Sequence, residues 1–183
     1  MNTPMSEPFV YQQSVFIRAS ATTVERCFTE QRLMHQWLNP ALVCEPVGDW
    51  RTSVGSEFDF RLQVPVLPTA LRPTLRSVVV ERSPGRVVWG FDGFFRGRDR
   101  WECQIEGNDS AEDVSDFDRS PDAARPKAAR PDAARLGTTL LNRFEFTIPN
   151  PLVSFGFRQF AASWTKQDME SQLQRLKQVA ERL

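Results

Sequence analysis

Histidine, tyrosine and cysteine are scarce in this chain: one histidine, His35, one tyrosine, Tyr11, and three cysteines, Cys27, Cys44 and Cys103. No carboxylate or nucleophile stands beside His35 in a recognisable pattern, which leaves Ser-His-Asp and Cys-His catalysis unsupported. An odd number of widely separated thiols without a second histidine argues against a disulfide framework and against a zinc site. Reduced, buried thiols and no metal are expected. Excess charge is missing too: Lys plus Arg and Asp plus Glu number 23 each, so no net field draws the protein to nucleic acid or to an anionic bilayer. No stretch approaches the ~20 apolar residues of a membrane span, and Met1 to Pro8 lacks a basic region followed by an apolar run. A cytoplasmic protein without a transmembrane segment is expected, with transient membrane contact left open. Glycine-rich phosphate loops, dinucleotide fingerprints and basic-aromatic nucleic-acid motifs are absent, so neither a cofactor nor a nucleic-acid partner is expected.

What is present suits one globular domain, residues 1–183: the 183-residue length and 40% hydrophobic content allow a sizeable core. One segment, 107–137, stands apart. It opens with Asp109, Glu112, Asp113, Asp116 and Asp118. It then repeats a five-residue unit, Pro121 to Arg125, Pro126 to Arg130 and Pro131 to Arg135. With little beyond alanine to bury and a proline in every unit, it is read as a disordered, low-complexity insertion at a hairpin tip. A docking segment for a protein partner is the alternative, since its first half is acidic and its second half basic.

Around the insertion the periodicities predict an element order. Phe9 to Arg18 alternates as a half-buried strand. Ser20 is placed to cap a short helix carrying Val24 and Phe28, and Gln31 to Leu38 forms a second short helix that stops before Asn39-Pro40. Strands follow at Leu42 to Val47, Ser56 to Leu62, Arg76 to Arg82, Arg86 to Phe94, Arg98 to Glu106 and Thr138 to Ile148. Pro65, Pro68 and Pro73 make 64–73 a loop or irregular edge. Asn150-Pro151 supplies a cap and first-turn pair for a long C-terminal helix, with Gly156 marking a kink or a later start.

That last helix carries Ala162, Thr165, Met169, Leu173, Leu176, Ala180 and Leu183 at helical spacing. Its near end is small and its far end bulky. Because interiors are close-packed, small residues along half of a buried face predict open space beside them. The fold class expected is therefore α+β, a curved antiparallel sheet of six to seven strands wrapped around the long C-terminal helix, with two short helices after the first strand.

The residues reach a known family here. The chain resembles the START/polyketide cyclase-dehydrase-like superfamily, also called SRPBCC or helix-grip, over 9–106 and 138–183. The resemblance rests on Ile17-Arg18-Ala19-Ser20-Ala21 leading into the first helix with Val24 and Phe28, and on His35-Gln36-Trp37-Leu38-Asn39-Pro40. It rests also on Val54-Gly55, on Val80-Glu81-Arg82-Ser83-Pro84-Gly85 and on Val88-Trp89, all in that order. It implies a cup for lipids, sterols, isoprenoids or polyketides between sheet and last helix. Members of the superfamily include aromatase/cyclases, lipid carriers and sensors, and an activator of a heat-shock ATPase.

Strand parity supplies the expected lining. Phe58 and Phe60 share a face, as do Trp89, Phe91 and Gly93; Asp99, Trp101, Cys103 and Ile105; and Leu140, Asn142, Phe144, Phe146 and Ile148. With Trp37, Ala161, Ala162 and Thr165, the large aromatics of these sets form the expected ligand-binding wall. The polar candidates within it are Asp99 and Asn142, with Asp92 at a strand end. The expected function is carriage or sensing of an apolar or amphipathic small molecule. The alternatives are a polyketide or isoprenoid cyclase-dehydratase using Asp99, Asn142 and His35, and an activator or assembly module.

Overall fold

The computed structural model describes residues 8–63, 74–93, 95–105, 137–160 and 162–183. The segments 64–73 and 106–136 and Ala161 therefore lie outside the described residues. Seven strands form one antiparallel sheet: β1 (Phe9–Ile17), β2 (Leu42–Pro46), β3 (Glu57–Leu62), β4 (Thr74–Ser83), β5 (Arg86–Phe91), β6 (Arg96–Ile105) and β7 (Thr138–Thr147). Their spatial order is β1-β7-β6-β5-β4-β3-β2. Helices α1 (Ala21–Thr29) and α2 (Gln31–Trp37) follow β1, while α3 (Pro151–Phe160) and α4 (Ala162–Ala180) close the chain. This is the helix-grip arrangement, with strands β2 to β7 consecutive in sequence.

Local chemistry accounts for the helix boundaries. Ser20 sits in extended conformation and its hydroxyl accepts the Thr23 amide at 3.1 Å, a side-chain N-cap for α1. Val24, Cys27 and Phe28 form the buried stripe of α1, and Leu33, Met34 and Trp37 that of α2. Glu25 ties α1 to the β4–β5 turn: it pairs with Arg82 and accepts the Gly85 amide at 2.7 Å. Gly85 supplies the turn with φ of 71°, a left-handed conformation that side chains disfavour. Gly156 lies inside α3, which starts at Pro151; the later start is not observed.

The core divides in two. One cluster joins α1, α2 and the far half of α4 (Leu173, Leu176, Val179, Ala180) to the sheet through Phe58, Val79, Trp89, Trp101 and Leu140. The other is aromatic: Phe9, Phe91 and Phe146, joined by Tyr11, Phe95, Phe144 and Phe157. Ion pairs line the opposite sheet face, among them Arg76–Asp59 at 2.9 Å, Arg61–Glu45 at 3.3 Å and Arg143–Glu145 at 3.0 Å. Exposed pairs of this kind each contribute ~1 kcal/mol or less. Arg96 and Arg98 belong to this solvated set, paired with Asp92 and Glu81. Among the described residues, no helix is long and apolar enough to cross a membrane.

Candidate functional site

Where the two clusters meet, a cavity of about 400 Å³ opens between the sheet and the near half of α4. Strands supply Phe60 and Leu62 (β3), Leu75 and Ser77 (β4), Trp89 and Phe91 (β5), Asp99 and Trp101 (β6), and Asn142 and Phe144 (β7). Met34, Trp37 and Leu38 close one side from α2 and its end; Thr165, Asp168, Met169 and Gln172 form the α4 wall. The antiparallel register explains why these side chains converge. Trp89 stands opposite Asp99 across β5–β6, and Asp99 stands opposite Phe144 across β6–β7. Residues paired across antiparallel strands share a face.

Of the residues expected from the sequence, Trp37, Phe60, Trp89, Phe91, Trp101, Phe144, Thr165, Asp99 and Asn142 are brought together around the cavity. The others lie elsewhere. Phe58 is 2% exposed and packs edge-on against Trp50 at 5.0 Å, filling core. Phe146 packs with Phe9, Phe95 and Phe157 at centroid distances of 5.2, 5.2 and 5.4 Å and belongs to the aromatic cluster. Ala162 is half-buried and outside the lining, and Ala161 lies outside the described residues. Asp92 is exposed, bonded to Arg96 at 3.0 Å. His35 is not part of the lining: its Nε2 donates to the Cys44 carbonyl at 2.9 Å and its ring meets Trp50 edge-on, so it fastens α2 to β2.

Missing from the expected set were Met34, Leu38, Leu42, Leu62, Thr74, Leu75, Ser77, Phe95, Asp168, Met169 and Gln172. Part of the signal was available. Met34, Trp37 and Leu38 share a helical face, and Met169 and Gln172 extend the Thr165 face by two turns. The contribution of β4 was harder to see, since a bulge between Val79 and Glu81 breaks the parity of that strand.

The polar end of the cavity is a small network. Asp99 accepts from Trp101 Nε1 at 2.8 Å and from Asn142 Nδ2 at 2.6 Å, and the same Asn142 amide donates to the Arg100 carbonyl at 3.1 Å. Burial pushes the Asp99 carboxyl up to about 6, with the two hydrogen bonds opposing the rise. At the α4 wall, Asp168 accepts from Asn39 at 2.7 Å and Gln172 at 2.6 Å. Asn39 also receives the Ala41 amide at 2.8 Å, which fixes the α2–β2 turn against α4. The three thiols are free, and burial raises Cys27 to about 11 and Cys44 and Cys103 to about 12. Unreactive thiols follow. Among the described residues, no group of three His, Cys, Asp or Glu side chains is placed to hold a metal.

A seven-stranded antiparallel sheet gripping a terminal helix around an apolar cavity defines a helix-grip cup. The sequence profile of the polyketide cyclase / dehydrase and lipid transport family matches residues 8–181, and the chain belongs to that family. Its fold is similar to that of the ZhuI aromatase/cyclase from Streptomyces sp. R1128, with TM-score 0.65, 10% identity and 96% and 95% of the two chains covered. TTHA0849 from Thermus thermophilus superposes with TM-score 0.62 at 13% identity, covering 94% of this chain and 97% of that one. Truncated norcoclaurine synthase from Thalictrum flavum gives 0.59 at 11% identity over 98% and 97%. At these identities the likeness is one of fold. Comparison with functionally curated proteins gave no match.

Proposed function

We propose that this protein binds an apolar or amphipathic small molecule, a lipid, isoprenoid or polyketide-like compound, in the cavity between sheet and α4, as a carrier or sensor. The observation that carries the reading is the cavity's composition: about 400 Å³ walled by Trp37, Phe60, Trp89, Phe91, Trp101 and Phe144, with polar groups confined to a few positions. Sites of this size, mostly apolar with few convergent polar groups, suit small-molecule ligands. A neutral, non-basic probe, N-phenyl-1-naphthylamine, should bind saturably with enhanced fluorescence. Leu75→Trp, which projects a larger ring into the cavity, should abolish that binding while melting cooperatively near the wild-type temperature. Equal probe binding by the wild type and Leu75→Trp would sink the reading.

A cyclase-dehydratase is the second reading, favoured by Asp99, whose carboxyl burial pushes up to about 6, toward the range where a general acid or base works best. In this reading Asp99 moves the proton and Asn142 positions it. Exchange of the α-hydrogens of 4-phenyl-2-butanone in deuterated water, followed by NMR, tests it. Wild-type exchange no faster than that with Asp99→Asn would leave binding as the function.

A further inference from the structure

The described wall of the cavity holds two carboxylates, Asp99 and Asp168, and no lysine, arginine or histidine. Neither carboxylate belongs to any ion pair found among the described residues. Among the described residues both are held by neutral donors alone: Asp99 by the Trp101 indole and the Asn142 amide, Asp168 by the amides of Asn39 and Gln172. Arg175, three residues beyond Gln172 on α4, donates its Nε–H to the Trp37 carbonyl at 2.8 Å and is not part of the wall. A carboxylate in an apolar cavity without a cation is costly, and the cost is offset when a cation arrives.

The surroundings of Asp99 specify more than charge. Trp89 and Phe144 stand opposite it on the two neighbouring strands, and Trp101 follows on the same face of β6. Rings framing an acidic group suit a cation that carries hydrogen atoms on nitrogen and carbon, because ring faces attract positive charge. The two donors that hold Asp99 are already used. The single indole N–H of Trp101 goes to Asp99, and the Asn142 amide nitrogen donates to both Asp99 and Arg100. What Asp99 presents to a ligand is its remaining acceptor capacity. A ligand carboxylate would meet the like charge of Asp99 there, whereas an ammonium would find its complement.

We infer that the cavity takes a cationic amine on an aromatic or alkyl body, with the ammonium seated on Asp99 and the body among Trp89, Phe91, Trp101 and Phe144. The inference rests on the binding reading above and narrows its ligand class. Three probes of matched body separate the two: 2-(1-naphthyl)ethylamine, 2-(1-naphthyl)ethanol and 1-naphthylacetate, titrated calorimetrically at neutral pH. The amine should bind about tenfold or more tighter than the alcohol, and the acid weakest. In Asp99→Asn the difference between amine and alcohol should shrink to about threefold or less with alcohol binding retained; in Asp168→Asn it should persist. If Asp99→Asn does not fold, the wild-type protein still decides: the amine, and not the alcohol, should shift the Asp99 carboxyl carbon resonance. Equal binding of amine and alcohol overturns the cationic ligand and leaves the cavity reading standing. Binding of none of the three overturns both. Loss of the difference in Asp168→Asn alone overturns the assignment to Asp99.

Discussion

At Asp99 the sign of the pH effect follows from the direction of its shift. Its carboxyl titrates at about 6 in the folded protein, above the ordinary value of 3.8. The native state therefore holds the proton more tightly than the unfolded chain, and stability falls as pH rises between about 4 and 6. Two pKa units correspond to about 3 kcal/mol. Asp99→Asn removes the titrating group, so chemical denaturation across that range should lose the part of the pH slope that Asp99 contributes. An unchanged slope in the variant would show that Asp99 does not titrate there. Trp37 is the residue where wall and core coincide. It is 1% exposed, donates its indole N–H to the Cys27 carbonyl at 2.7 Å and packs against Trp101 at 5.0 Å. Trp37→Ala should cost about 3–5 kcal/mol. Trp37→Phe, which keeps a ring but leaves the carbonyl unpaired, should cost about 1–3 kcal/mol. Urea melts measure both, and wild-type stability for Trp37→Ala would make Trp37 a gate residue instead.

Among the elements, α4 does two jobs along one stripe. Thr165, Asp168, Met169 and Gln172 border the cavity, while Leu173, Leu176, Val179 and Ala180 sit in the core. This division was legible in the sequence as a change from small to bulky residues, though its boundary was misplaced: Ala162 was expected to border open space and Thr165 is the first described α4 residue that does. The strands read well where alternation is clean, as in β6 and β7, because pleat geometry alone assigns the faces. Alternation could not separate Phe144, in the cavity wall, from Phe146, which shares its face and is sealed by Phe157 of α3. Only the packing of a distant helix distinguishes them. His35 failed for the same reason, since its partners Cys44 and Trp50 are brought to it by the fold. The α4 division predicts opposite responses to enlargement. Thr165→Leu should change stability by less than about 1 kcal/mol and weaken uptake of N-phenyl-1-naphthylamine, whereas Ala180→Leu overpacks a 2%-exposed site and should cost about 1–3 kcal/mol. Similar losses in both variants, with probe uptake intact, would place Thr165 in packed core.

At the scale of the whole molecule, the sheet is continuous from β1 to β2, and the ladder between β6 and β7 runs to the pair Ile105 and Thr138. The segment 107–137 therefore joins the adjacent ends of two paired antiparallel strands. Little stability is lost by lengthening such a connection, because closure entropy grows only with the logarithm of its length. The reverse holds for shortening it. Deleting 108–136 and joining Gly107 to Gly137 leaves Glu106, Gly107 and Gly137 between the last paired residues, a length and composition that hairpins accept. Gly137 should remain glycine in that design: a Cβ there would fall 2.3 Å from the Phe16 ring. We expect the shortened protein to unfold cooperatively within a few degrees of the full chain and to bind N-phenyl-1-naphthylamine unchanged. Non-cooperative melting would mean that the segment contributes to the fold, and loss of probe binding in a stably folded deletion would assign it to the cavity.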